Sequence, residues 1–120
     1  MKTTEAVAAL GALAQDTRLA IFRLLVRRGP SGLPAGAVAE SLGVQPSTLS
    51  FHLAHLERAG LLRSWRVQRQ IFYAVDFAGM RTLLAFLTDD CCQGHPEICG
   101  GLAPAPGTAA CIPARTGESR

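Results

Sequence analysis

Apolar residues recur at helical spacing through most of the first 89 residues and switch to alternation only between residues 62 and 75. The spacing and the end signals together predict helices over residues 4–15, 17–28, 34–42, 46–60 and 77–89. Two strands are predicted over residues 62–66 and 70–75, joined as a hairpin. The predicted fold is therefore mainly α with one β-hairpin, in the order α-α-α-α-β-β-α.

Aspartate, proline and glycine mark the ends of these helices. Asp16 is the expected N-cap of the second helix, and Asp76 is that of the last. Pro34 suits the first position of the third helix, and Gly43 suits the position that ends it. Because the turn after Gly43 is short and Pro46 opens the next helix, residues 34–60 have the pattern of a helix-turn-helix.

The helix after that turn has an unusual outward face. Its apolar stripe consists of Leu49, Leu53 and Leu56. The opposite side carries Ser47, Ser50, His55 and Arg58, with Thr48 on its flank. An ordinary solvated helix is richer in Glu and Lys, which have better helix propensity than Ser and Thr. Short hydroxyls near the start of a helix let it enter a major groove and bond to base edges or phosphates.

Positive charge is concentrated beside this helix, although the net charge of the chain is only +3. Four arginines and no acidic residue occur between residues 58 and 69, and three of them belong to the hairpin: Arg63, Arg66 and Arg69. A basic hairpin directly after a helix-turn-helix is suited to gripping phosphates or a minor groove. Double-stranded DNA is therefore the expected partner.

The rest of the sequence indicates the cellular compartment and the domain organisation of the protein. No apolar run approaches the length of a membrane span, and the alanine-rich residues 6–14 fit an amphipathic first helix better than a secretion signal. We therefore expect a cytoplasmic protein in which the four cysteines are reduced thiols. Residues 1–89 are the expected DNA-binding and dimerisation domain, and the Cys/Gly/Pro-rich residues 90–120 the expected sensor tail.

The order of elements, with Ser50-Phe-His-Leu53 and Arg58-Ala-Gly-Leu-Leu62 in those places, resembles the ArsR/SmtB family of metal-responsive winged-helix repressors. The resemblance covers about residues 4–89 and is most specific over residues 43–75. It implies a winged helix-turn-helix homodimer that binds an operator palindrome and releases it when metal binds.

The resemblance also implies roles for particular residues. DNA contacts would come from Gln45, Ser47, Thr48, Ser50, Phe51 and His55, with Arg58 beside them and Arg63, Arg66 and Arg69 on the backbone. Phe51 departs from the polar residues common at its position and could rest against thymine methyls. His52 lies toward the apolar side, so a buried, hydrogen-bonded histidine is expected there. The first and last helices would form the dimer interface through Val7, Leu10, Leu83 and Leu87, unless these residues line the monomer core.

The cysteines indicate where an inducer would bind. Cys91, Cys92 and Cys99 follow directly after the last helix, and soft thiolates select soft ions. Three thiols suit trigonal-pyramidal As(III) or Sb(III), and similar arsenic-sensing sites occur near the C-terminus of some family members. His95 would complete a tetrahedral Cys3His set for Zn(II) or Cd(II), and Cys111 is a further candidate of open role.

Three other classes compete with the metalloid-responsive repressor. A repressor of the same fold that responds to a thiol oxidant would pair Cys91 or Cys92 with Cys99. A cysteine-dependent reductase is disfavoured, because Cys91-Cys92 is not a C-x-x-C motif and no βαβ pattern surrounds it, so we do not expect an enzyme. A zinc-stabilised interaction module would leave the Ser-rich helix and the arginine hairpin unexplained.

Overall fold

The computed structural model describes residues 1–89, and its element order confirms the predicted winged helix-turn-helix arrangement. The helices are α1 (Thr3–Leu13), α2 (Asp16–Arg28), α3 (Ala35–Leu42), α4 (Pro46–Arg58) and α5 (Phe77–Leu87). The strands are β1 (Leu33–Pro34), β2 (Leu62–Val67) and β3 (Gln70–Val75). Met1–Leu83 form one compact unit, and a second begins at Leu84. The predicted division of the chain after residue 89 stays a prediction.

The predicted end signals are confirmed at Gly43, Pro46 and Asp76 and are wrong at Asp16 and Pro34. Gly43 ends α3 with φ 64°, and the Asp76 carboxylate accepts the Gly79 N–H at 3.0 Å, as expected of a C-cap and an N-cap. Pro46 opens α4, as predicted. The cap of α2 is not Asp16, because the side chain of Gln15 accepts the Arg18 N–H at 2.8 Å and Asp16 is already helical.

A short strand that the sequence pattern does not predict precedes α3. Pro34 is not the first residue of that helix: it has extended backbone angles (φ −68°, ψ 151°) and pairs with Phe72 of β3. Leu33 pairs in the same way with Tyr73. The sheet therefore has three antiparallel strands in the order β1-β3-β2, so the middle of β3 is joined to the start of the helix-turn-helix.

The buried core lies where α2, α3 and α4 meet the base of the hairpin. Its largest fully buried side chains are Ile21, Leu25, Val38, Leu49, Leu53, Leu56, Leu61 and Val75. Helix α1 contributes only small residues, Ala6, Ala9 and Ala12, which let its backbone approach closely. No helix among residues 1–89 is long and apolar enough to cross a membrane.

The hairpin turn contains no glycine, and a non-glycine residue takes the left-handed conformation there. Residues Val67 and Gln70 pair across the end of the hairpin, so Gln68 and Arg69 form a two-residue turn. Gln68 takes the left-handed conformation, with φ 57°. Two-residue hairpin turns require a positive φ to match the twist of the strands, and a non-glycine residue there carries some strain.

Close backbone packing at Gly79 predicts a large loss of stability for Gly79→Ala. A β-carbon at this position would overlap the carbonyl oxygen of Gly60, which belongs to backbone and cannot swing away. We expect the free energy of unfolding to fall by about 1–3 kcal/mol in urea titrations. Gly36→Ala is the matched control, because Gly36 also lies in a first helical turn and has open space around it. That variant should be unchanged or more stable by about 0.5–1 kcal/mol; equal losses in both variants would contradict the packing explanation.

Candidate nucleic-acid interface

Helix α4 presents a continuous exposed face, the reading face, opposite its buried stripe. Leu49, His52, Leu53 and Leu56 are buried. The exposed residues of the predicted DNA-reading set in and beside this helix are Gln45, Ser47, Thr48, Ser50, Phe51 and Arg58. Phe51 stands out because 62 % of its surface is exposed. An exposed aromatic ring among hydroxyl groups fits contact with the apolar parts of base edges better than it fits solvent.

The single carboxylate of α4 is directed away from that face. Glu57 accepts a hydrogen bond of 2.7 Å from the Ser64 hydroxyl on β2. The proximity of Glu57, together with burial, raises the pKa of Tyr73 on β3, with burial the larger cause. Glu57 therefore ties the helix to the hairpin. Its negative charge is engaged there, away from the hydroxyl groups and from Arg58 on the exposed face.

His52 confirms the expectation of a buried, hydrogen-bonded histidine, since only 8 % of its surface is exposed. Its Nδ1 lies 3.2 Å from a terminal guanidinium nitrogen of Arg18 on α2. Arg18 also donates from Nε to the carbonyl of Ala12 at the end of α1, at 2.6 Å. The sequence pattern places Arg18 on the polar side of α2 and gives no sign of this partner, which is 34 residues away.

His55, predicted to contact DNA, is half-buried against α1. It lines a groove together with Arg58 of α4, with Ala59 just after that helix, and with Ala8 and Gly11 of α1. Its Nδ1 is buried and has no hydrogen-bond partner among the described residues. Burial, and to a lesser degree the charges of Arg18 and Arg58, lower the pKa of His55. The structure thus places His55 at the α1 side of the reading face, and the predicted DNA contact stays a prediction.

The three arginines of the hairpin have different surroundings. Arg66 is exposed and donates from Nε to the carbonyl of Gln68, which keeps its side chain at the turn. Arg69 is exposed within the turn itself. Arg63 instead donates to the carbonyl of Pro30 at 3.0 Å and lies over the Trp65 ring, 4.7 Å from its centroid. Arg66 and Arg69 are therefore the better placed of the three for phosphate contacts.

The four candidates for a dimer interface divide into two groups. Val7, Leu10 and Leu87 are exposed, by 62, 42 and 50 %. Leu83 is only 4 % exposed, which is what lining the monomer core requires. Large apolar side chains on the outer faces of α1 and α5 leave the interface prediction open for the first three.

All the predicted inducer ligands lie outside residues 1–89: Cys91, Cys92, His95, Cys99 and Cys111. Among the described residues, no group of three or more His, Cys, Asp or Glu side chains could hold a metal ion. The predicted ligand set is therefore a proposal about residues beyond α5.

Comparison with known proteins gives the geometry a context. The family model that matches is described as a helix-turn-helix domain and covers residues 13–64. Over 88 residues the chain is 31% identical to the HTH-type transcriptional regulator YgaV of Escherichia coli K12, covering 73% of this chain and 87% of that protein. Over 93 residues it is 29% identical to the transcriptional activator HlyU of Vibrio cholerae, covering 78% of this chain and 83% of that protein.

Solved structures share the fold. The antimony-specific transcriptional repressor AntR has a TM-score of 0.57 and 33% identity, covering 70% of this chain and 75% of that chain. The homodimeric winged helix-turn-helix domain of a Mycobacterium bovis regulator, described as a possible ArsR-family member, has a TM-score of 0.60 at 24% identity and covers 72% and 81% of the two chains. The chain belongs to the ArsR family of winged-helix transcriptional regulators, which bind DNA through the helix-turn-helix.

Proposed function

We propose that this protein is a homodimeric repressor that leaves its operator when As(III) or Sb(III) binds Cys91, Cys92 and Cys99. The observation that carries the proposal is the spacing of the thiols: an adjacent pair that begins four residues after the end of α5 at Leu87, and a third cysteine seven residues later. Three thiolates complete the coordination of a trigonal-pyramidal metalloid and select soft ions over hard ones. The antimony specificity of AntR, a relative of the same fold, supports this chemistry.

The dimer part of the proposal rests on the outer faces of α1 and α5. Val7 and Leu10 leave an apolar surface on α1, and Leu84 and Leu87 do so near the end of α5. Exposed apolar side chains of this size favour association with another protein surface. The homodimeric state of the Mycobacterium bovis domain supports association with a second copy. The exposed face of α4 would then meet two operator half-sites about one helical turn apart.

The mechanism couples the thiols to the reading helices. Inducer bound immediately after α5 would constrain the end of that helix in each subunit and change the angle between the two α4 helices. The population would move to a form that cannot span both half-sites, by no more than the difference in inducer affinity between the two forms. The proposed setting is the cytoplasm, where the thiols are reduced.

Fluorescence anisotropy of the reduced protein on its promoter DNA tests this function. We expect arsenite to release the DNA and Zn(II) to leave the complex intact, because the thiol set is complete for a metalloid without His95. Release by zinc alone would instead bring His95 into the site and make the protein a Zn(II)/Cd(II)-responsive regulator. Release by peroxide but by neither ion would make it a thiol-redox regulator; each of these two results would overturn the metalloid proposal.

A further inference from the structure

One side chain connects three helices at the base of the DNA-reading face. The guanidinium of Arg18 donates to the Ala12 carbonyl, the end of α1, and reaches Nδ1 of His52 in the buried stripe of α4. The Arg18 N–H is held in turn by the Gln15 side chain, which caps α2. A planar guanidinium has five N–H groups in a rigid fork, so it can hold two acceptors at a fixed angle.

The contact between Arg18 and His52 specifies the protonation state of the histidine. Arginine is a donor only, so Nδ1 of His52 must be the acceptor and the ring must be neutral in this arrangement. A proton on Nδ1 would remove the acceptor and place two cations 3.2 Å apart. The pKa of His52 is lowered, mainly by burial and further by the charges of Arg18 and His55, which is consistent with a neutral ring.

His52 also touches the residue at the centre of the reading face. The rings of His52 and Phe51 meet edge to face, with centroids 5.6 Å apart, and Phe51 meets His55 in the same way at 6.4 Å. Movement of the His52 ring therefore affects Phe51 directly and His55 through Phe51, and both residues are predicted base contacts.

We propose that Arg18 is a positioning residue for the recognition helix, which it holds against the end of α1 through neutral His52, and that protonation of His52 weakens DNA binding. The inference goes beyond the proposed function, since it needs DNA reading by α4 but neither the inducer nor its ligands. The charged and titratable groups acting on His52 are Arg18 from α2 and His55 from α4 itself. Glu57 of α4 is occupied by Ser64 on β2.

The expected direction follows from the contact between Arg18 and His52, which requires an unprotonated Nδ1, and the lowered pKa of His52 agrees with it. The unfolded chain has an ordinary histidine pKa of 6.5 and therefore binds the proton more readily than the folded chain below that pH. The stability contributed by neutral His52 is complete above about pH 6.5 and is lost as the pH falls through the lower folded value. A free histidine beside phosphates behaves in the opposite way, because its protonation strengthens binding to DNA.

His52→Asn separates these two effects in the full-length protein. Asparagine places an oxygen acceptor near the position of Nδ1 and does not titrate between about pH 5.5 and 7.5. Anisotropy on promoter DNA at constant ionic strength should show that the wild type loses more affinity than His52→Asn across this range. One proton with a pKa below 6.5 limits this extra loss to less than about tenfold at pH 5.5. His55 is present in both proteins, so its contribution cancels in the comparison. Parallel pH profiles would overturn the proposal.

Arg18 variants provide the second readout. Arg18→Met removes both donors, and at about pH 7.5 it should bind DNA roughly tenfold more weakly with no pH dependence at His52. Arg18→Lys retains one donor and should recover part of the affinity. A folded Arg18→Met protein with wild-type affinity would also overturn the proposal, and if this variant fails to fold, the His52→Asn profile decides alone. Arsenite is absent throughout, so a failed metalloid response leaves this outcome unaffected.

Discussion

Replacing Cys91, Cys92 and Cys99 together with serine should abolish the release of promoter DNA by arsenite. A serine hydroxyl stays protonated at neutral pH and is a hard donor, so it cannot replace a thiolate on a soft metalloid. The coupling between inducer and DNA typically amounts to about 5- to 150-fold in affinity, and the whole of it should disappear. DNA affinity without arsenite should be unchanged, because α4 and the hairpin lie within residues 1–89 and these cysteines do not. Anisotropy titrations of both proteins with arsenite measure the difference.

Two further variants identify the ligand set. Cys111→Ser is the matched control, since it removes a thiol that does not belong to the proposed trio and should leave arsenite release intact. His95→Ala should also respond to arsenite normally, whereas a tetrahedral zinc site would lose a ligand. A triple serine variant that still releases DNA at the wild-type arsenite concentration would eliminate the proposed site.

The helix-turn-helix could be predicted because its signals are local. The spacing of Leu49, Leu53 and Leu56 and the turn at Gly43 each depend on residues within a few positions, and the structure confirms both. Alternation likewise located the hairpin, although β2 continues one residue further than expected, to Val67. Periodicity detects such features because backbone geometry repeats over 3.6 or 2 residues.

The missed features depend on partners distant in sequence. Pro34 appears suited to begin a helix, but pairing of β1 with Phe72 and Tyr73 holds it in extended form. Gly32 permits that pairing, because a β-carbon there would lie 2.5 Å from the Tyr73 carbonyl oxygen. The hydrogen bond between Arg18 and His52 likewise joins residues that are distant in sequence, 34 positions apart. A charged residue on a mostly apolar helix is compatible with either solvent or a buried partner, and only the fold decides between them.

Within the reading face, sequence placed the residues but not their surroundings. Exposure of Ser47 and Ser50 follows from the helical period, and the family resemblance adds Phe51 to the same face. The half-burial of His55 does not, because it requires the small residues Ala8 and Gly11 of α1 to come close to α4. The different environments of Arg63 and Arg66 also arise from tertiary contacts, with Pro30 and Trp65 engaging only the first.

Removing Arg66 and Arg69 together should weaken DNA binding more than any single change on α4. Both side chains are exposed at the hairpin turn, and each that neutralises a phosphate releases a condensed counterion. The plot of log K against log salt loses about 0.9 of slope per phosphate contact, or up to about 3.6 for four contacts in a dimer. At about 150 mM salt, that corresponds to a loss of up to about 1000-fold in affinity. Anisotropy of Arg66→Ala/Arg69→Ala on promoter DNA over a salt series measures both quantities.

Two comparisons show whether the loss is a phosphate effect at the hairpin. Arg23→Ala/Arg27→Ala removes the same charge from exposed positions of α2, outside the predicted interface, and should change the slope far less. Phe51→Ala should leave the slope unchanged and reduce the preference for promoter over random DNA, because an apolar base contact releases no counterion. A wild-type salt slope in the hairpin double variant would mean that Arg66 and Arg69 do not contact phosphates. The hairpin would then act by holding α4 in place, through contacts that include the hydrogen bond between Ser64 and Glu57.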